Sequence, residues 1–369
     1  MTHSPVGPSG AAQRIQCPGS VKMQAQFPEG EPTPEQAEGD AAHWALSQML
    51  SGRGWPEPGD AAPNGVFITD DMLQAVDVAY DGLYKLLKGY GLSPTAGAVE
   101  QMIQIPRIHP QAFGTPDYRI WLTPNHLLVF DYKHGHRFVD VFENEQLVDY
   151  TAGLLPEDRS DLDIQVTFVI CQPRAYHPSG AFRTWTTPAS ALRALINISS
   201  NSAHEALGDS PRTRAGPECR DCRARTSCVT FLRAASQEIE WSGALRTASM
   251  QPQDIGLQLT TVDRALARLQ AYRTGLVEQA MTSERSGRPV PGWRTQQSTG
   301  REQWTVPVEV VADIGALLKL PLVKTVPITP NQAREAGVPP ATVAAMSTRG
   351  KGSVDLVPDD NSAARRVFG

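Results

Sequence analysis

Three short stretches decide how this chain is read: Gly114-Thr115-Pro116-Asp117, Leu127-Leu128-Val129-Phe130-Asp131-Tyr132-Lys133 and Gln146-Leu147-Val148-Asp149-Tyr150. The second is a short apolar run ending in charge, as expected of a buried strand. Residues two apart on a strand share a face, so Asp131 and Lys133 point together. Asp117 opens the preceding extended segment, 117–122, and a hairpin between the two segments brings it beside Asp131. Two carboxylates with an adjacent ammonium suit a site for Mg²⁺ or Mn²⁺. Such an ion polarises a phosphate and lowers the pKa of a water, while Lys133 orients that water and screens developing charge. A turn aspartate followed by a strand-end Asp–Lys pair on the surface is the plain alternative.

Around this centre the pattern alternates helix and strand. Thr33-Pro34-Glu35-Gln36 is a capping-box start for a helix to about Leu50 that carries His43. A second helix is expected over about 70–89, with Met72, Val76, Ala79, Leu83 and Leu87 on one face. Residues 98–107 read as extended, 142–155 as a helix and 164–172 as a buried strand. Pro188–Gly208 reads as a helix capped by Thr187, with Pro188 at its first position. Further helices are expected over 261–282, near Pro307 and at Thr329-Pro330-Asn331-Gln332. The tail from Ser347 is polar and poorly patterned. Together these readings give a mixed α/β core over residues 1–235 and a mostly helical extension over 236–369.

The chain's 369 residues, with 40% hydrophobic and 20% charged, are ordinary for a globular protein. A net charge of −5 offers no global basic surface, so a nucleic-acid partner would be held by local Lys/Arg patches. No apolar run is long enough for a membrane span, and residues 1–14 lack a secretory pattern, so the expected setting is the cytoplasm. Of five cysteines, Cys219, Cys222 and Cys228 are crowded together. That crowding suggests a metal site in a reducing compartment. Cys17 is the natural fourth ligand, because Cys171 falls inside an apolar strand. Four thiolates suit zinc or an iron–sulfur cluster equally well by ligand type. Arg220, Arg223 and Arg225 lie among them as candidate phosphate contacts, although each alone is as readily a solvated charge.

The Pro116-Asp117, Asp131-Tyr132-Lys133 and Gln146-x-x-x-Tyr150 series resembles the RecB-like branch of the PD-(D/E)XK nuclease superfamily. An upstream Gly39-x-x-x-His43 fits the same branch. The resemblance implies a restriction-endonuclease-like core, a mixed central sheet flanked by helices. It further implies metal ligation by His43, Asp117, Asp131 and the Tyr132 carbonyl, with Gln146 and Tyr150 supporting the catalytic strand or DNA. Glu100 occupies the position of an acidic residue that often precedes the first motif; a strand-edge carboxylate is the equal alternative.

One cysteine before the core and C-x2-C-x5-C after it is similar to RecB-like nucleases with an iron–sulfur staple, including AddB-type and CRISPR-adaptation enzymes. This implies a [4Fe–4S] cluster on Cys17, Cys219, Cys222 and Cys228, with zinc as the alternative. The order of motifs, opening with Cys17-Pro18-Gly19-Ser20, is also similar to phage- and prophage-encoded RecB-like proteins. Looser matches there are Pro291-Gly292-Trp293-Arg294 and Ile328-Thr329-Pro330. The implied activity is metal-dependent DNA hydrolysis, as an exonuclease in phage recombination, with DNA and a single-strand-binding or annealing protein as partners. The rivals are a catalytically silent DNA-binding protein of the same fold and a zinc-stapled interaction module.

Overall fold

A computed structural model describes residues 4–27, 30, 32–156, 164–175, 177, 179–242, 251–304, 306–320, 322, 330, 333 and 337–358. The chain forms two compact units, Met1–Ala271 and Tyr272–Gly369.

The first unit opens with two short helices, α1 (Ala11–Gln16) and α2 (Gly19–Gln24), followed by α3 (Pro34–Leu50). Thr33 and Gln36 make both hydrogen bonds of the expected capping box on α3. The next helix, α4 (Asp70–Lys88), is capped by Thr69, with acids in its first turn and lysines in its last. Both biases favour the helix dipole.

Five strands then build the sheet: β1 (Ala98–Val99), β4 (Tyr118–Thr123), β5 (His126–Tyr132), β6 (Gln165–Cys171) and β7 (Phe182–Pro188), in that spatial order. The pairings are antiparallel except β5–β6, which is parallel. A parallel pair needs a crossover, and α5 (Glu145–Leu154) lies in it. Asn144 Oδ1 accepts the Leu147 N–H and starts α5 three residues later than the sequence suggests.

Residues 98–107 are not one strand. Only Ala98–Val99 joins the main sheet, while β2 (Ile103–Gln104) pairs with β3 (Phe113–Gly114) in a separate ribbon. Pro106 and Pro110 have no N–H to continue a ladder. Residues 182–188, which carry few apolar side chains, form the edge strand β7, and Pro188 ends it opposite Gln165. An edge strand tolerates proline. Pro188 therefore does not open a helix; a 3-10 turn, Ala189–Leu192, leads into α6 (Arg193–Leu207).

Alternation along β5 divides the core. Leu128, Phe130 and Tyr132 pack on one sheet face with Leu46, Met49, Val76, Leu83 and Leu87 of α3 and α4. Leu127 and Val129 pack on the other with Leu147, Val148 and Ala152 of α5 and with α6. By the same alternation Asp131 belongs to the α5 face.

After the cysteine segment come α7 (Val229–Ser242) and α8 (Pro252–Arg285), the latter longer than the expected 261–282. The second unit holds α9 (Val308–Leu318), with Pro307 as its cap, and α10 (Pro340–Met346). It also holds an antiparallel pair, β8 (Trp293–Trp304) and β9 (Ser347–Pro358). Of the tail, residues 347–358 form a strand, and the extension is not purely helical. Of the expected Thr329–Gln332 helix start, only Pro330 is among the described residues. No helix of the described residues is long and apolar enough to cross a membrane.

Candidate active site

At the C-terminal end of β5 the motif residues converge. Extending the Tyr118↔Phe130 register by one step sets Asp117 opposite Asp131. Asp117 is fixed from two sides: its Oδ2 accepts the Tyr132 N–H at 2.6 Å and its Oδ1 lies 3.4 Å from His43 Nδ1. His43 comes from α3, and its ring sits edge-on to that of Tyr132 at 5.3 Å. Glu100 joins them by an unusual backbone, with φ at +48° and its N–H bonded to the Asp117 carbonyl at 3.1 Å. Left-handed backbone is rare outside glycine. One potential ligand atom from each of His43, Glu100 and Asp117 lies within 4.8 Å of the other two.

Asp131 stands beside this trio, not inside it. Its Oδ2 forms an ion pair with Lys133 Nζ at 2.9 Å and has no other partner among the described residues. Lys133 Nζ donates to Gln146 Oε1 at 2.9 Å. Gln146 in turn faces Tyr150 Oη at 3.4 Å, and that hydroxyl donates to the Thr115 carbonyl at 2.9 Å. Residues four apart on α5 therefore tie the lysine to the segment that delivers Asp117.

The charges are strongly coupled. Burial alone would lower the His43 pKa, but Asp117, Asp131 and Glu100 outweigh it and raise it to about 9. Burial and then Asp117 push Glu100 up to about 7. Burial raises Asp131, with Asp117 adding to the rise and Lys133 opposing it. Asp117 moves the other way: burial is overcome by His43, the Tyr132 N–H and Lys133, which hold its carboxyl below the usual range. Three crowded carboxylates, Glu100, Asp117 and Asp131, are an arrangement that a divalent cation relieves.

Three supporting features carry no sequence motif. Arg174 donates to Glu38 Oε1 at 3.0 Å and to His134 Nε2 at 2.7 Å, which leaves His134 Nδ1 to donate to Tyr132 Oη at 2.8 Å. This chain joins α3 to the end of β5; His134, adjoining Lys133, was its only visible cue. Buried Gln172 holds the loop after Lys133 through the carbonyls of Gly135 and Arg137 and the Val139 N–H. Arg14, 1% exposed, pairs with fully buried Asp149 at 2.7 Å and also donates to Ser199, Ser202 and the Val6 and Gly7 carbonyls.

The cysteines form a second centre. Cys17, Cys219, Cys222 and Cys228 line one cavity of about 100 Å³, together with Met23 and Phe231. The Arg214 N–H points at Cys17 Sγ (3.3 Å) and the Gly216 N–H at Cys219 Sγ (3.4 Å). Burial pushes the Cys222 thiol up to about 11. Cys171 is buried in the sheet. Of the arginines, Arg220 is exposed and Arg223 half-buried. Arg225 is buried, its guanidinium donating to the carbonyls of Ala271 and Cys222. It therefore fastens the cysteine segment to α8 and does not form a phosphate-binding rim.

Fold and site together define a mixed α/β protein whose sheet end presents a carboxylate–histidine cluster suited to a divalent cation. Over residues 3–360 the chain matches the family described as "Protein of unknown function (DUF2800)", and it belongs to that family.

Proposed function

We propose that this chain is a metal-dependent DNA nuclease of the PD-(D/E)XK, RecB-like type, an exonuclease serving phage-type recombination or DNA processing. The observation that carries the reading is the meeting of His43, Glu100 and Asp117 within 4.8 Å, with the Asp131–Lys133 pair alongside. His43, Glu100, Asp117 and Asp131 would hold Mg²⁺ or Mn²⁺, with Asp131 Oδ2 paired to no group but Lys133. A bound divalent cation supplies positive charge to the scissile phosphate and acidity to a water.

The remaining work falls to the chain. Lys133, held by Gln146, orients the water for attack and screens the charge that grows on phosphorus-bound oxygen. The new bond joins water oxygen to phosphorus; the bond that breaks joins phosphorus to the leaving sugar oxygen. Tyr150 keeps Gln146 and the Asp117 segment in register.

In the same reading the four cysteines hold an iron–sulfur cluster. Their common lining of one cavity, with one cysteine before the core and three after it, supports that reading.

The test is digestion of linear DNA by anaerobically purified protein with Mg²⁺ or Mn²⁺. Asp117→Asn and Asp131→Ala should each lower the rate more than about a hundredfold. Full activity in either variant would reject the assignment. DNA binding without turnover under every divalent metal would leave a silent DNA-binding protein of the same fold.

A further inference from the structure

A groove of about 670 Å³ is lined by Lys133 and Gln146 and by the loop that Gln172 pins. Phe138 and Phe142 both line it. Phe138 is already engaged, with His177 stacked on it at 4.9 Å and Arg183 over its ring at 4.8 Å. Phe142 is 57% exposed and makes a T-shaped contact with Trp185 at 5.1 Å. The next residue, Glu143, takes φ of +50°, a backbone conformation that tends to be kept where function needs it. An exposed aromatic ring in a groove shared with Lys133 is a stacking platform for a base.

The groove's charge restricts what can follow that base. Asp140, Glu143, Glu145 and Glu218 line it, whereas its two basic residues are taken, Lys133 by Asp131 and Arg137 by Asp221. A strand continuing through the groove would bring phosphates against these carboxylates. A terminal nucleoside brings none beyond the phosphate being cut at the Lys133 end.

Resting on the nuclease reading, we infer that this groove receives the last nucleoside of a DNA strand that ends in a hydroxyl, its base against Phe142. The site therefore selects strand ends and discriminates against a terminal phosphate.

The experiment compares single-stranded oligonucleotides carrying a hydroxyl or a phosphate at each end, with closed circular single-stranded DNA as the endless control. A phosphate on the attacked end should lower kcat/KM about tenfold or more, and the circle should resist cutting. Phe142→Ala should raise KM roughly tenfold with kcat little changed, and Phe142→Trp should restore it. In metal-free protein, a terminal 2-aminopurine should be quenched on binding, and the quench should disappear in Phe142→Ala. Cleavage indifferent to end chemistry and to Phe142 would overturn the inference while leaving the nuclease reading intact. A wild type that cuts no DNA, but still shows the Phe142-dependent quench, would remove the hydrolytic reading alone. No quench and no cleavage would remove both.

Discussion

His43 and Glu100 set the electrostatics of the metal-free site, and their signs agree. His43, raised to about 9, contributes stability that is complete below its ordinary value of 6.5 and is lost as pH climbs to about 9. Glu100, raised from 4.5 to about 7, costs stability as it ionises through that interval. Metal-free protein should thus weaken steadily as pH rises from about 5 to about 9. A cation takes the place of the protons, so the rise in Tm produced by Mn²⁺ should grow across that range. Thermal unfolding with and without Mn²⁺ at pH about 6 and about 9 checks it, and His43→Gln should flatten the trend. Asp131 and Lys133 were legible in the sequence because the strand period puts them on one face, and Asp117 because a hairpin brings it alongside. Gln146 and Tyr150 were legible only through the resemblance to the RecB-like Q-x-x-x-Y signature. Arg225 was not, since nothing in a Cys/Arg-rich segment says which arginine turns inward. Nor was the Arg14–Asp149 pair, whose members are 135 residues apart and follow no period.

Among the elements, α5 does two things at once, bridging the parallel strands β5 and β6 and presenting Gln146 and Tyr150 to Lys133. Its buried Asp149 is matched by Arg14 of α1 and by Ser199 of α6. Removing one member strands the other's charge in the core. Asp149→Ala should therefore cost about 3–5 kcal/mol, measured by urea unfolding. A second prediction concerns α4. Gly82 lies mid-helix, where alanine usually gains about 1 kcal/mol, but a Cβ there would stand 2.3 Å from the Phe182 ring of β7. Gly82→Ala should destabilise by about 1–3 kcal/mol, the opposite of the helix-propensity expectation. The long helices α3 and α4 and the buried strands β5 and β6 were readable because apolar period and capping residues agree there. The edge strand β7 was missed because one face is solvated and its threonines and tryptophan leave little apolar signal.

Across the first unit, Cys17 and the 219–228 segment come from opposite ends of the α/β core and meet at one cavity. If an iron–sulfur cluster fills it, purified protein should be brown and contain iron and labile sulfide in about equal amounts. Cys222→Ser should lose the iron and lower Tm, and a colourless protein holding one zinc would refute the cluster. The second unit, with its β8–β9 ribbon and small core of Val311, Leu322, Ala333, Val338 and Val343, adds none of the site residues named above.

Arg14 also bears on the order in which the molecule can be completed during synthesis. Its partners Ser199 and Ser202 leave the ribosome 185 and 188 residues after it. At about 5–20 residues per second that is a wait of roughly 10–40 s. Helix α1 is therefore among the last elements of this unit to lock. Until then its guanidinium remains hydrated, and the nascent sheet lacks the strap that later crosses α5 and α6.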